Sequence, residues 1–108
     1  MSSHRPTYAS ATCETHRNTG PRGVHGGVTL EFERTSGFHF SSIVRWPTSD
    51  NYDAAVERAV KNELAELGQA DSFSCRLVAI TWHEVDSCEA GFAFAARHAT
   101  RVALERIL

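Results

Sequence analysis

The stretch from Trp82 to Ala99 constrains the fold of this chain more than any other part of the sequence. It reads Trp-His-Glu-Val-Asp-Ser-Cys-Glu-Ala-Gly-Phe-Ala-Phe-Ala-Ala-Arg-His-Ala. Asp86, followed at the third position by Glu89, is typical of a capped helix start, because carboxylates there meet unpaired N–H groups and the positive end of the helix dipole. Apolar residues then recur at helical spacing, at Phe92, Ala95, Ala96, Ala99, Val102, Ala103 and Ile107. The stretch therefore predicts a strand end, a tight turn carrying His83, and a final helix with one buried face.

Composition limits the classes of protein that this chain can belong to. With 108 residues, 42% of them hydrophobic and 22% charged, it is sized and composed as one globular domain. No apolar run approaches the roughly 20 residues of a membrane span, and the start lacks a secretory pattern, so we expect a cytoplasmic protein without a membrane partner. The net charge of −2 means that any nucleic-acid binding must come from a local basic patch.

The rest of the pattern predicts three strands, a helix, a strand and the final helix. Alternating apolar residues indicate strands near 7–16, 28–33 and 38–46, the first of them weak. A helix is expected from about Asn51 to Leu67, capped by Ser49 or Asp50 and closed by Gly68, and the last strand runs from Phe73 to Trp82. We predict an α+β two-layer sandwich of order β-β-β-α-β-α, with one mostly antiparallel sheet and both helices on one face.

A glycine-rich segment, residues 17–27, separates the first two predicted strands. It carries Arg17, Arg22 and His25 among glycines, and is expected to be a loop. Glycines let a backbone approach a partner closely, and arginine forks suit phosphate groups. The loop is therefore a candidate binding element, although a plain hairpin connection would explain the glycines as well.

Both segments resemble the fourth domain of elongation factor G, the GTPase that drives translocation on the ribosome. Around His83 the family reads Tyr-His-Glu-Val-Asp-Ser-Ser-Glu-x-Ala-Phe-x-x-Ala, close to the string from Trp82. At the glycine-rich loop it reads Arg-Gln-Ser-Gly-Gly-Arg-Gly-Gln-Tyr-Gly-His-Val-Val. The positions that match there are Arg17, Gly20, Arg22, Gly23, Gly26 and Val28, whereas Val24-His25 replaces the family's Gln-Tyr and Pro21 stiffens the turn.

The resemblance implies more than the residues alone. It implies a ribosomal protein S5 domain 2-like fold, with residues 1–16 forming an N-terminal tail and weak first strand and residues 17–108 forming the domain IV-like part of a single domain. In the family both loops lie at a tip that enters the decoding region and contacts tRNA and messenger. The RNA-binding residues implied here are Arg17, Arg22, His25 and His83.

Motifs for enzymatic chemistry are absent from the sequence. There is no P-loop pattern, and the GTPase domain of elongation factor G does not lie within these residues, so we expect no nucleotide cofactor. His83, Asp86 and Ser87 lie too close together in sequence to form a hydrolytic triad. The six histidines show no metal-ligand spacing, and the three cysteines form no CxxC pair. We therefore expect neither catalytic residues nor a metal or cofactor.

Two functions remain open at this stage. The first is a stand-alone, non-enzymatic module that binds ribosomal RNA or tRNA near the small-subunit decoding region through a basic tip. The second is a protein-interaction or regulatory module that kept the scaffold and lost RNA binding. Arg22 and His83 favour the first function, whereas Val24-His25 and the slight negative charge favour the second.

Overall fold

The computed structural model describes residues 7–19, 22–82 and 87–108, and all of their side chains except those of residues 16–19, 22 and 23. The elements are β1 (Tyr8–Thr19), β2 (Arg22–Arg34), β3 (Phe40–Ser42), α1 (Asp53–Glu66), β4 (Phe73–Thr81) and α2 (Glu89–Ile107). The predicted α+β class and element order are confirmed. No helix in the described part of the chain is long and apolar enough to cross a membrane.

The four strands form one mixed sheet of order β1-β2-β4-β3. β2 pairs antiparallel with both β1 and β4, whereas β3 runs parallel to β4. The third strand is much shorter than the predicted 38–46. The Ile43 N–H still donates to the Leu77 carbonyl of β4 at 3.1 Å, but the next N–H, that of Val44, donates to the Ser42 hydroxyl at 3.3 Å instead of to β4.

Alternate residues of the strands face the two helices, and together they build the core. α2 packs across β1 and β2, and α1 packs beside α2. The largest fully buried side chains include Phe32, Phe73, Phe92, Leu30, Leu64, Leu77, Leu104 and Ile107. Each contributes about 1.5–3 kcal/mol by leaving water. Helices on one face and a solvated opposite face give the two-layer sandwich.

The prediction of a glycine-rich loop at residues 17–27 is wrong over most of its length, because residues 17–19 continue β1 and residues 22–27 begin β2. Thr19 pairs with Arg22, and Arg17 pairs with Val24. The glycines serve close packing instead of a turn: a Cβ on Gly27 would lie 2.7 Å from the Thr81 Cβ. β1 therefore runs unbroken through the expected boundary between 16 and 17, and its Ala9 and Ala11 join the core.

Both helix starts differ from their predictions. α2 is N-capped by Cys88 in an extended conformation with no side-chain cap, so Glu89 is its first residue and the predicted capping box is wrong. Asp86 itself lies outside the described residues. α1 begins at Asp53, whose N–H donates to Asn51 Oδ1 at 2.8 Å, instead of being capped by Ser49 or Asp50. At the other end of α1, Gly68 has a φ of +72°, as expected of a helix-terminating glycine.

Candidate nucleic-acid interface

The two segments that carry the expected tip residues are joined through β2. Gly27 pairs with Thr81 at the end of β4, and two residues earlier His25 forms a parallel bridge with Ser87. The His25 carbonyl also accepts a hydrogen bond from the Cys88 N–H at 3.3 Å. The chain therefore leaves the sheet after β4 and returns to the same stretch of β2. His83 belongs to the four residues between, 83–86, which lie outside the described part.

Arg17 and Arg22 lie on the two arms of the β1–β2 hairpin, beyond that bridge. Arg17 is in β1, opposite Val24, and Arg22 is in β2, opposite Thr19. Arg22 lies three positions before His25, which is about 10 Å along a strand. Their side chains lie outside the description, so the backbone alone places them at this end of the sheet.

His25 is not an exposed tip residue, which corrects the sequence-based expectation for its side chain. The residue is 4% exposed. Its Nε2 lies 2.6 Å from Glu14 Oε1 on β1, and its Nδ1 lies 3.5 Å from Ser87 Oγ. The ring thus spans from β1 to the residue at which the 83–86 segment ends. His25 is placed to hold the interface together, and it does not present its ring to a ligand.

Two glycines allow the first turn of α2 to sit directly on β2. A Cβ on Gly26 would lie 2.2 Å from the Gly91 carbonyl carbon, and one on Gly91 would lie 2.1 Å from the His25 oxygen. Real side-chain carbons essentially never approach so closely, so both positions need glycine. This backbone contact fixes the start of α2, and with it the end of the 83–86 segment, against β2.

An aromatic cluster of Trp46, Tyr52, Trp82 and Phe92 supports the other end of the same segment. Trp82 stacks on Phe92 with centroids 5.8 Å apart, and Trp46 meets Phe92 edge-on at 5.0 Å. Trp46 Nε1 also donates to Asp53 Oδ1 at 3.0 Å, and burial raises the pKa of Tyr52. The cluster anchors Trp82, the last described residue before His83.

A buried carboxylate between the helices was missed by the sequence reasoning. Glu63 of α1 is 2% exposed and accepts hydrogen bonds from Arg97 Nε at 3.2 Å and from Arg101 Nε at 3.0 Å. The hydrogen bond to Glu63 raises the pKa of Arg101. The helical spacing of these two arginines predicts only a solvated face. Their place opposite a carboxylate on α1 could have been found only by docking the two helices.

The geometry offers little for covalent chemistry. Ser87, His25 and Glu14 follow the order of a serine–histidine–carboxylate relay, but the serine contact is long at 3.5 Å and the ring is buried away from a substrate. Among residues 7–19, 22–82 and 87–108, no group of three His, Cys, Asp or Glu side chains could hold a metal ion. Burial raises the pKa of Cys75 and of Cys13, which leaves both thiols poor nucleophiles.

Solved structures provide likenesses of fold. The chain is similar to part of a protein of unspecified function from Thermus thermophilus, with a TM-score of 0.85 and 23% identity over 94% of this chain and 16% of that one. It is also similar to part of homoserine kinase from Cytophaga hutchinsonii, with a TM-score of 0.58 and 10% identity over 100% of this chain and 39% of that one. No protein-family model matches the chain. At these identities the likenesses establish the fold alone, and this chain spans a minor part of each longer protein.

Proposed function

We propose that this chain is a non-enzymatic module, similar to the fourth domain of elongation factor G, that binds ribosomal RNA or tRNA near the small-subunit decoding region. The contacts would come from Arg17, Arg22 and His83, at the end of the sheet that bears the β1–β2 hairpin and the residues on either side of the 83–86 segment. His25 would not contact RNA; it would stabilise the site by joining β1, β2 and Ser87 to one another.

One observation carries the proposal. The strand that bears Arg22 also bears His25, whose backbone is bridged to Ser87, while Gly27 of the same strand pairs with Thr81. The segment containing His83 therefore starts and finishes beside the arm that carries Arg22. Arginines on a narrow hairpin can bind phosphate oxygens bidentately, and a neutral histidine can stack on or hydrogen-bond to an unpaired base.

The packing on either side of the 83–86 segment supports the proposal that the tip residues bind a partner. The Gly26–Gly91 backbone contact and the aromatic cluster around Phe92 hold the two ends of the 83–86 segment without using the tip residues themselves. Because both ends of the segment are fixed, less conformational freedom is lost on association than with unanchored ends, which favours tighter binding.

The second candidate is a protein-interaction or regulatory module on the same scaffold. The burial of His25 favours it, because one expected cationic tip residue is bonded to Glu14 and adds nothing to an exposed basic surface. The net charge of −2 also provides no general attraction to RNA.

Sedimentation with purified small ribosomal subunits at low salt separates the two candidates. Arg22→Ala should weaken co-sedimentation by about tenfold, which is the loss of one charge-assisted hydrogen bond of about 1.4 kcal/mol. His83→Ala should weaken it by about tenfold too, through the loss of stacking on a base, which is worth about 1–3 kcal/mol. Arg34→Ala is the matched control: it removes the same charge from the same strand, 12 positions or about 40 Å from Arg22. Absence of association at low salt, or equal weakening by Arg34→Ala, would reject the first candidate in favour of the second.

A further inference from the structure

The outer edge of β1 is long, and among the described residues no strand pairs with it. β1 spans 12 residues, and its only partner in the sheet is β2. Natural proteins shield such edges with lysines, prolines, bulges or covering segments, because an open ladder pairs readily with another strand. From Tyr8 to Thr15 this edge contains no proline and no lysine or arginine, and Glu14 is its one charged residue.

The register identifies which backbone groups point outward. The Arg34 N–H donates to the Thr7 carbonyl, so odd-numbered residues of β1 exchange hydrogen bonds with β2. Even-numbered residues must then direct their N–H and C=O groups to the open edge. Arg106 Nη1 donates to the Ser10 carbonyl from that side, which agrees with this parity and covers one carbonyl.

We propose that this edge pairs antiparallel with β1 of a second copy of the chain, forming a two-fold dimer with a continuous eight-stranded sheet. With the two-fold axis at Thr12, Ser10 lies opposite Glu14 of the other copy and Ala11 lies opposite Cys13. No like charges oppose one another between residues 10 and 14, and hydroxyl–carboxylate and Thr–Thr pairs are favourable across strands. The edge is thus complementary to itself.

The helix layer is complementary in the same arrangement. α2 lies over β1 and β2 together, so strands about 4.8 Å apart would bring the two copies of α2 to about 10 Å, a normal helix-packing distance. Phe94, His98, Val102 and Arg106 follow one another at i, i+4 spacing on a single ridge of α2.

That ridge lies on the β1 side of the molecule. Arg106 bonds to Ser10 at one end. At the other end Phe94 and His98 line a depression that reaches Thr15 of β1 on one side and Glu63 of α1 on the other. In the dimer Arg106 would release the Ser10 carbonyl, which then accepts the Glu14 N–H of the second copy. The Arg106 guanidinium would lie over Phe94 of the second copy, which is 44% exposed, as an aromatic–cation pair. A foreign strand would add only the strand ladder, whereas a second copy adds the contact between the two α2 helices as well, which is why the structure favours a second copy.

Sedimentation equilibrium of the full chain, from micromolar to millimolar concentration, tests the dimer. Thr12→Pro removes an outward N–H without breaking a β1–β2 hydrogen bond and should leave a folded monomer. Thr12→Val is the control, because it loses the same contact to the Thr29 hydroxyl but keeps the N–H, and it should dimerise like the wild type.

Hydrogen exchange of the wild type provides a second readout that needs no variant. As concentration rises, the amides of Ser10, Thr12 and Glu14 should exchange several-fold more slowly, while those of Ala11 and Cys13, already bonded to β2, should not change. A monomer at every concentration, a dimer that survives Thr12→Pro, or concentration-dependent protection confined to other strands would overturn the proposal.

Discussion

Gly26 of β2 and Gly91 of α2 meet backbone against backbone, so closely that a Cβ on Gly26 would lie 2.2 Å from the Gly91 carbonyl carbon. This contact places the start of the last helix on the strand that carries Arg22. The arrangement of the candidate interface depends on it, because it fixes where the 83–86 segment ends.

Replacing Gly91 by alanine should destabilise the protein, although alanine usually stabilises a helix by about 1 kcal/mol relative to glycine. The added methyl would lie 2.1 Å from the His25 carbonyl oxygen. This clash is with the backbone of β2, which cannot move aside as a flexible side chain could. We expect a loss of about 1–3 kcal/mol in the free energy of unfolding, measured in urea.

Ala90→Gly, at the exposed neighbouring position, is the control for that experiment and should cost only the ordinary propensity difference. A Gly91→Ala protein as stable as the wild type would show that α2 does not sit directly on β2.

Substitution of His25 tests whether the buried ring organises the interface. His25→Ala removes the contacts to Glu14 and Ser87 together and should cost about 1–3 kcal/mol. Glu14→Gln keeps an acceptor for His25 Nε2 at a half-exposed side chain, so it should change stability by less than about 1 kcal/mol.

Amide spectra of the two variants would show where the effect reaches. For His25→Ala we expect the largest shifts at Ser87 and Cys88, because these residues bond to His25 through side chain and backbone. Equal effects of the two variants would mean that the Glu14 contact, and not the ring, is what matters.

The buried carboxylate between the helices should be among the most sensitive polar sites. Glu63→Gln leaves Arg97 and Arg101 facing a neutral amide and should lower the free energy of unfolding by about 1–3 kcal/mol. Glu66, which is 56% exposed, also pairs with Arg97, and Glu66→Gln should cost less than about 1 kcal/mol. A thermal or urea series that ranks the two the other way would contradict the burial of Glu63.

Stability should fall at alkaline pH partly because of Cys75. Burial raises the pKa of this thiol above its ordinary value of 9.0, so the folded chain keeps a proton that the unfolded chain releases. The stabilisation is complete below about pH 9 and is lost as pH rises further. Between about pH 8 and about pH 10, the wild type should lose about 1.4 kcal/mol more than Cys75→Ala.

The cavity left by Cys75→Ala lowers stability equally at both pH values, so the difference between the two losses isolates the thiol. Tyr8 and Tyr52, whose pKa values are also raised, are present in both proteins and cancel in the comparison. Parallel pH profiles would indicate that Cys75 is solvated in the folded protein.

The sequence correctly predicted features that depend only on neighbouring residues. The alternation of Val28, Leu30 and Phe32 identified the central strand, and Gly68 marked the end of α1. The sequence pattern places Gly26 and Gly27 in a loop instead of a strand, because a glycine needed for close packing looks in sequence like one needed for a turn.

The rest of the site depends on how distant elements meet. The pairing of Glu63 with Arg97 joins residues 34 positions apart on two different helices, and that of His25 with Glu14 depends on the strand register. The S5 domain 2-like expectation and the expected RNA contacts came from the resemblance to elongation factor G, and the RNA contacts stay predictions.

The salt dependence of binding to small ribosomal subunits tests the central claim most directly. If Arg22 neutralises an RNA phosphate, the slope of log K against log salt should become shallower by about 0.7–1 in Arg22→Ala. Arg34→Ala, about 40 Å away on the same strand, should keep the wild-type slope. Identical slopes for the wild type and Arg22→Ala, or binding that does not respond to salt, would contradict an RNA-binding tip.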